Sequence, residues 1–117
     1  MVNAHFDYEE LLSRVENDRE LMRDLLLIFK EEFPGRHQAL RVAVEHKDAN
    51  RIACEAHRLK GMLSNLAAHE AAQAAARLEV LGLNEKTSEL KESFAAFDRI
   101  ASDLVPELDS FLMEISR

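Results

Sequence analysis

The sequence predicts an all-α protein, an antiparallel four-helix bundle with an additional short N-terminal helix or helices. Three observations predict it. The chain uses three Gly, two Pro, one Tyr and no Trp, and is otherwise rich in Ala, Leu and Glu, which favour helix over strand. Apolar residues recur at three- and four-residue spacing in segment after segment. Several amphipathic helices with short connections bury their stripes most economically side by side. At 117 residues and 47% hydrophobic content, residues 1–117 read as one domain with a single core.

The elements follow in order. A short amphipathic segment runs from about Asp7 to Val15, with Leu11, Leu12 and Val15 as its apolar side. Asn17-Asp18 is a start signal for a second helix that reaches Phe33. Pro34-Gly35 is expected to end it. A third helix runs from about Arg36 to His46, and Lys47-Asp48 breaks the pattern. The next spans about Ala49 to Leu66. An alanine-rich helix follows, from about Glu70 to Leu81, which a neighbour could approach closely. Gly82 is expected as its C′ residue. In the last segment Leu90, Phe94, Phe97, Ala101, Leu104, Leu108, Phe111 and Ile115 keep one phase. Because that phase passes through Pro106, one kinked helix or two collinear ones are expected there.

Charge and composition exclude several functions. The net charge is −7, from 15 basic and 22 acidic residues. A phosphate-backbone binder needs a basic face, and an acidic membrane surface attracts basic segments, so neither nucleic acid nor membrane is expected as a partner. One cysteine excludes an internal disulfide framework and suits a reducing compartment. No apolar run approaches the roughly 20 residues of a membrane span. The opening MVNAHFDYEE lacks the pattern of a signal peptide. A cytoplasmic, monomeric domain is expected.

The helix ANRIACEAHRLKGMLSNLA carries the chemistry. At about 100° per residue, Ile52, Ala56, Leu59, Leu63 and Leu66 fall in one narrow arc, the core stripe. His57 falls roughly 160° from Leu59, so it points away from the core. His5, His37, His46 and His69 read as ordinary solvated histidines. Gly61 and Ser64 share the outer face with His57, and Lys60 lies at its flank one turn along. Exposed neutral imidazole is a nucleophile at pH 7 and above. A lysine at i+3 can neutralise an anionic group that the ring acquires. A glycine at i+4 leaves open ground for a phosphoryl group and for another protein. Phosphoryl transfer needs little more than positioning and charge neutralisation.

Rival readings of the same residues are weaker. Cys54, one turn before His57, makes a cysteine–histidine pair, but no orienting third group or oxyanion signature accompanies it. No histidine pair has i,i+4 spacing and no HExxH or CxxC occurs, so no metal site is expected. The serious rival is an adaptor bundle whose histidine stays unphosphorylated.

HRLKG, with the downstream SNLAA, resembles the signature of the histidine-containing phosphotransfer (HPt) domain, roughly H-x-L-K-G followed by a small hydrophobic–Gly–Ala step. The resemblance spans the chain. It implies a four-helix bundle core, His57 as the phosphorylated residue, Lys60 as support for the phosphoryl oxygens and Gly61 as clearance for a partner. It implies exchange of phosphate with the aspartate of a response-regulator receiver domain, or supply from a hybrid sensor histidine kinase. No cofactor is intrinsic, and Mg²⁺ is expected on the receiver. The resemblance implies a carrier without kinase activity of its own. Arg58, Ser64 and Cys54 are candidates for partner contact, with exposed apolar residues of the second helix, Phe29 among the candidates. The chain departs from the pattern at Met62, at Ala67 where glycine is frequent, and at Glu79. Some members place glutamine 22 residues after the histidine, the position Glu79 holds. Glu79 is expected to pair with Lys60 and not to favour a nearby phosphoryl group.

Overall fold

A computed structural model of the chain describes residues 5–116. The opening MVNA, part of the stretch read for a signal peptide, and Arg117 lie outside the described residues. Five helices form: α1 (Tyr8–Arg14), α2 (Arg19–Glu45), α3 (Ala49–Asn65), α4 (His69–Leu83) and α5 (Leu90–Ile115). No strand occurs among the described residues. α2 packs on α3, α3 on α4, α4 on α5 and α5 back on α2, and α1 lies against α2. The predicted all-α bundle with a short N-terminal helix is the fold observed, a rod of 45 × 20 × 20 Å.

Aspartates start the first three helices. The side chains of Asp7, Asp18 and Asp48 accept from the backbone N–H groups of Glu10, Leu21 and Arg51, each cap contributing about 1 kcal/mol. The helix ends share a different device. After α1, α2, α3 and α4 the residues at C′ are Glu16, Lys47, Ala67 and Glu85, all with φ between 52 and 58°. In each turn the next two N–H groups reach back to carbonyls of the last turn. After α4, for instance, Glu85 N donates to Gly82 O (3.2 Å) and Lys86 N to Leu81 O (2.9 Å). This is the Schellman pattern, which satisfies carbonyls a helix end would otherwise orphan.

The expected break at Pro34-Gly35 does not occur, and α2 is one helix across it. Proline removes the N–H that Lys30 C=O would accept. Both Pro34 and Gly35 are exposed, so water can reach that carbonyl. The buried residues Met22, Leu26, Phe29, Phe33, Leu40 and Ala43 keep one four-three phase through the proline, and their burial holds the helix together. α5 behaves likewise at Pro106, as its phase predicts.

Gly82 is also not at C′. It lies inside α4 and is buried. A Cβ there would stand 2.8 Å from Ala53 N and 2.9 Å from Ala49 O. The glycine therefore serves backbone approach between α3 and α4. Ala53, Ala56, Ala71, Ala72 and Ala75, all buried, keep the same seam thin.

The segment before α1 closes one end of the rod. Phe6 is buried and meets Phe111 edge-on at 5.3 Å, and Asp7 N donates to Ala67 O at 2.9 Å. Glu10 binds Arg14 (2.7 Å) and His69 (2.9 Å), and the Arg14 guanidinium donates to the Ser64 carbonyl.

Two histidines read as solvated are not. His5 Nδ1 sits 2.6 Å from Glu107 on α5 and its Nε2 3.8 Å from Asp103. The Glu107 hydrogen bond raises its pKa. His37 is packed among Phe33, Phe94 and Phe97, with Asp98 at 2.9 Å. Burial lowers its pKa. The missed signal is its place in α2, beside the stripe of Phe33 and Leu40, once Pro34 no longer ends the helix.

Candidate functional site

The site is built on α3. Ile52, Ala56, Leu59, Leu63 and Leu66 are all buried, which turns the His57 side chain outward with 66% of its surface exposed. Arg58 and Cys54 are exposed on the same helix, and Ser64 is half-buried. A Cβ on Gly61 would meet nothing within 4 Å, so the ground one turn beyond the imidazole is open.

α4 supplies the remaining group. The α3–α4 connection is a tight hairpin, and His57 and Glu79, equally far from Ala68, lie level with each other on its two arms, where their side chains meet. Glu79 Oε2 lies 2.8 Å from His57 Nδ1 and its Oε1 2.7 Å from Lys60 Nζ. The carboxylate bridges both residues of the H-x-x-K pair. The Lys60 hydrogen bond lowers the Glu79 pKa; burial opposes this, and the His57 hydrogen bond adds to the lowering. Glu79 is thus ionised near neutral pH, and an ionised carboxylate only accepts. In the neutral imidazole the proton must therefore sit on Nδ1, donated to Glu79. This leaves the Nε2 lone pair outermost and available.

Glu79 pairs with Lys60, as expected from the resemblance. Its bond to His57 is what sequence reasoning missed. The signal lay in the hairpin geometry: residues equidistant from the α3–α4 turn lie level with each other, and those whose helical phase points along the seam can meet. Phe29 is buried at 5% exposure and stacks on Phe33 at 4.7 Å, so it is no surface residue. The exposed apolar side chains of α2 are Leu21, Leu27, Ile28 and Val42. Leu21, the half-buried Leu25 and Ile28 recur at helical spacing on a face distinct from the core stripe. Among the described residues no group of three or more His, Cys, Asp or Glu could hold a metal ion, and no helix is long and apolar enough to cross a membrane.

An all-helical bundle that turns one histidine outward between a lysine and a carboxylate has the form of a phosphotransfer domain. The Hpt domain family matches residues 24–114, and the chain belongs to that family. Its members are phosphocarrier modules, and membership gives the chain a phosphotransfer role in two-component signalling. Among solved structures the chain is similar to histidine-containing phosphotransfer protein B (HptB) from Pseudomonas aeruginosa PAO1, at 25% identity and a TM-score of 0.81, covering 99% of this chain and 98% of that one. No curated protein matches.

Proposed function

We propose that His57 accepts a phosphoryl group from, and returns it to, the aspartate of a response-regulator receiver domain. The observation that carries the reading is the Glu79 bridge, which fixes the proton on Nδ1 and leaves Nε2 as the nucleophile. In the loading step the Nε2 lone pair forms the N–P bond. The acyl-phosphate O–P bond of the donor breaks, and its electron pair leaves with the carboxylate. The ring, now carrying phosphorus on Nε2 and a proton on Nδ1, gains positive charge. Glu79, 2.8 Å from Nδ1, compensates that charge as it develops. Lys60 is placed one turn away to neutralise phosphoryl oxygens. Glu79 is not expected from the sequence to favour a nearby phosphoryl group; in this scheme its charge acts on the ring side, through Nδ1.

Mg²⁺ belongs to the receiver in this scheme, and no residue cluster of this domain is assigned to it. A hybrid sensor kinase is the alternative donor through its own receiver. The carrier works as a monomer in the cytoplasm. Gly61, Arg58, Ser64 and Cys54 contribute to the docking face, with Leu21 and Ile28 of α2 replacing Phe29.

The test is label transfer. The domain is incubated with a phosphorylated receiver, and wild type is expected to take label that His57→Gln does not. Equal labelling of both would overturn the assignment, and failure of wild type with every receiver of its genome would favour the adaptor reading. Gly61→Arg is expected to retain the helical spectrum and lose most transfer, because the site is open and the replacement is a good helix former. Unchanged transfer would show that this ground is not used.

A further inference from the structure

A second site lies apart from the histidine face. A cleft of about 330 Å³ is lined by Arg41, Val44 and Glu45 of α2 and Lys47 of the turn after it, and by Thr87 just before α5 and Leu90, Lys91 and Phe94 of its first turns. None of these residues belongs to α3 or α4, which hold His57, Lys60 and Glu79. The volume is at the lower end of the range for small-molecule sites.

The lining has two characters. Leu90 and Phe94 are buried and Val44 is half-buried, so the floor is apolar. Above it stand three cations and a single carboxylate, Glu45, in a chain whose net charge is −7. Arg41 is held in place. Its Nη2 donates to Asp98 (3.0 Å), its Nε to Gln38 (3.3 Å), and its guanidinium carbon lies 5.2 Å from the Phe94 ring centroid. Lys47 and Lys91 form no ion pair within 4 Å with any described residue. Lys47 is also fixed in the left-handed conformation (φ 52°) by the α2–α3 turn, which sets where its side chain leaves the backbone.

We propose that this cleft binds a small organic anion with a flat apolar body, of the aryl carboxylate class. The ring lies against Val44 and the outer edges of Leu90 and Phe94 beside the Arg41 plane, and the carboxylate lies between Lys47 and Lys91. An apolar floor favours the body. Free lysines at the rim favour the charge without the cost of breaking an existing pair.

Benzoate is the probe, with benzyl alcohol and inorganic phosphate as controls, followed by amide chemical shifts of the intact domain. Benzoate is expected to shift the amides of Thr87, Leu90, Lys91 and Phe94 saturably, and neither control to do so at equal concentration. Lys47→Glu with Lys91→Glu is expected to weaken benzoate roughly tenfold, with an unchanged helical spectrum and unchanged label transfer at His57. If the double variant does not fold, Lys47→Gln with Lys91→Gln serves the same comparison. No saturable shift with benzoate overturns the proposal. So does equal binding of benzyl alcohol, which would make the cleft merely apolar, or of phosphate, which would make it a plain cationic patch. Undiminished benzoate binding by the charge variants overturns it as well.

Discussion

Two glycines on the two arms of the α3–α4 hairpin do opposite things, and substitution separates them. Gly61 has open space where a Cβ would go, so Gly61→Ala should raise stability by about 0.5–1 kcal/mol through helix propensity alone. Gly82 has backbone atoms of Ala53 and Ala49 there, at 2.8 and 2.9 Å. Gly82→Ala should lower stability by about 1–3 kcal/mol despite the same gain in propensity. Urea denaturation of the two variants checks both signs. At the proposed site, Glu79→Gln keeps a hydrogen-bonding side chain but removes the charge. Label transfer to its His57 should slow roughly tenfold or more, as expected when one charge-compensating partner is lost. A rate equal to wild type would mean that the Glu79 charge plays no part in transfer. Most of this was legible in the sequence for α3, where the periodicity of five apolar residues fixes the direction of His57. It was not legible for Gly82. A glycine near a helix end normally marks C′, and nothing local distinguishes one needed for a neighbouring backbone.

Among the elements, the prolines of α2 and α5 teach the same lesson twice. In α5 the apolar phase runs through Pro106, and the sequence reading of a continuing helix holds. In α2 the phase of Met22, Leu26, Phe29, Phe33, Leu40 and Ala43 runs through Pro34 just as evenly, yet Pro-Gly is the stronger local stop signal. Tertiary burial overrides it. Pro34→Ala should therefore stabilise the protein by about 1–2 kcal/mol, the restored bond to Lys30 C=O and better propensity being partly offset by a freer unfolded chain. A thermal melt reads this directly, and a drop in Tm would mean that the proline shape is needed for the α2–α5 seam. Helix ends were the least legible elements. Four of them close on Glu16, Lys47, Ala67 and Glu85 in the left-handed region, and none uses one of the three glycines. At Glu85, which is exposed, Glu85→Gly should relieve about 1 kcal/mol of strain.

The whole molecule depends on long-range ties that no local pattern announces. His5 reaches Glu107, 102 residues away, and joins the segment ahead of α1 to α5. Its pKa is raised, first by the Glu107 hydrogen bond and further by the charges of Glu107, Asp103 and Glu70 against a desolvation cost. A raised folded-state pKa means that the protonated form is the better bound one. Its contribution is complete below about pH 6.5, the value for a free histidine, and is lost as pH rises through the folded value. His5→Gln should remove that component, so the stability difference between wild type and variant should shrink as pH is raised from 6 to 8. Denaturation across that range measures it. His37 works in the other direction. Burial lowers its pKa, so it costs stability as pH falls below about 6.5, and its replacement by Phe or Leu should flatten the acid side.

The outward position of His57 on the side of a 45 Å rod has a kinetic corollary. One imidazole on one flank can face only one protein at a time, and a specific interface covers about 800 Å² per partner, enough to enclose the ring and its surroundings. Under the proposed exchange, donor and acceptor receivers both dock there and are competitors. The domain must let go of one before it meets the other, so an excess of unloaded acceptor should slow loading, and throughput should peak at intermediate acceptor concentration.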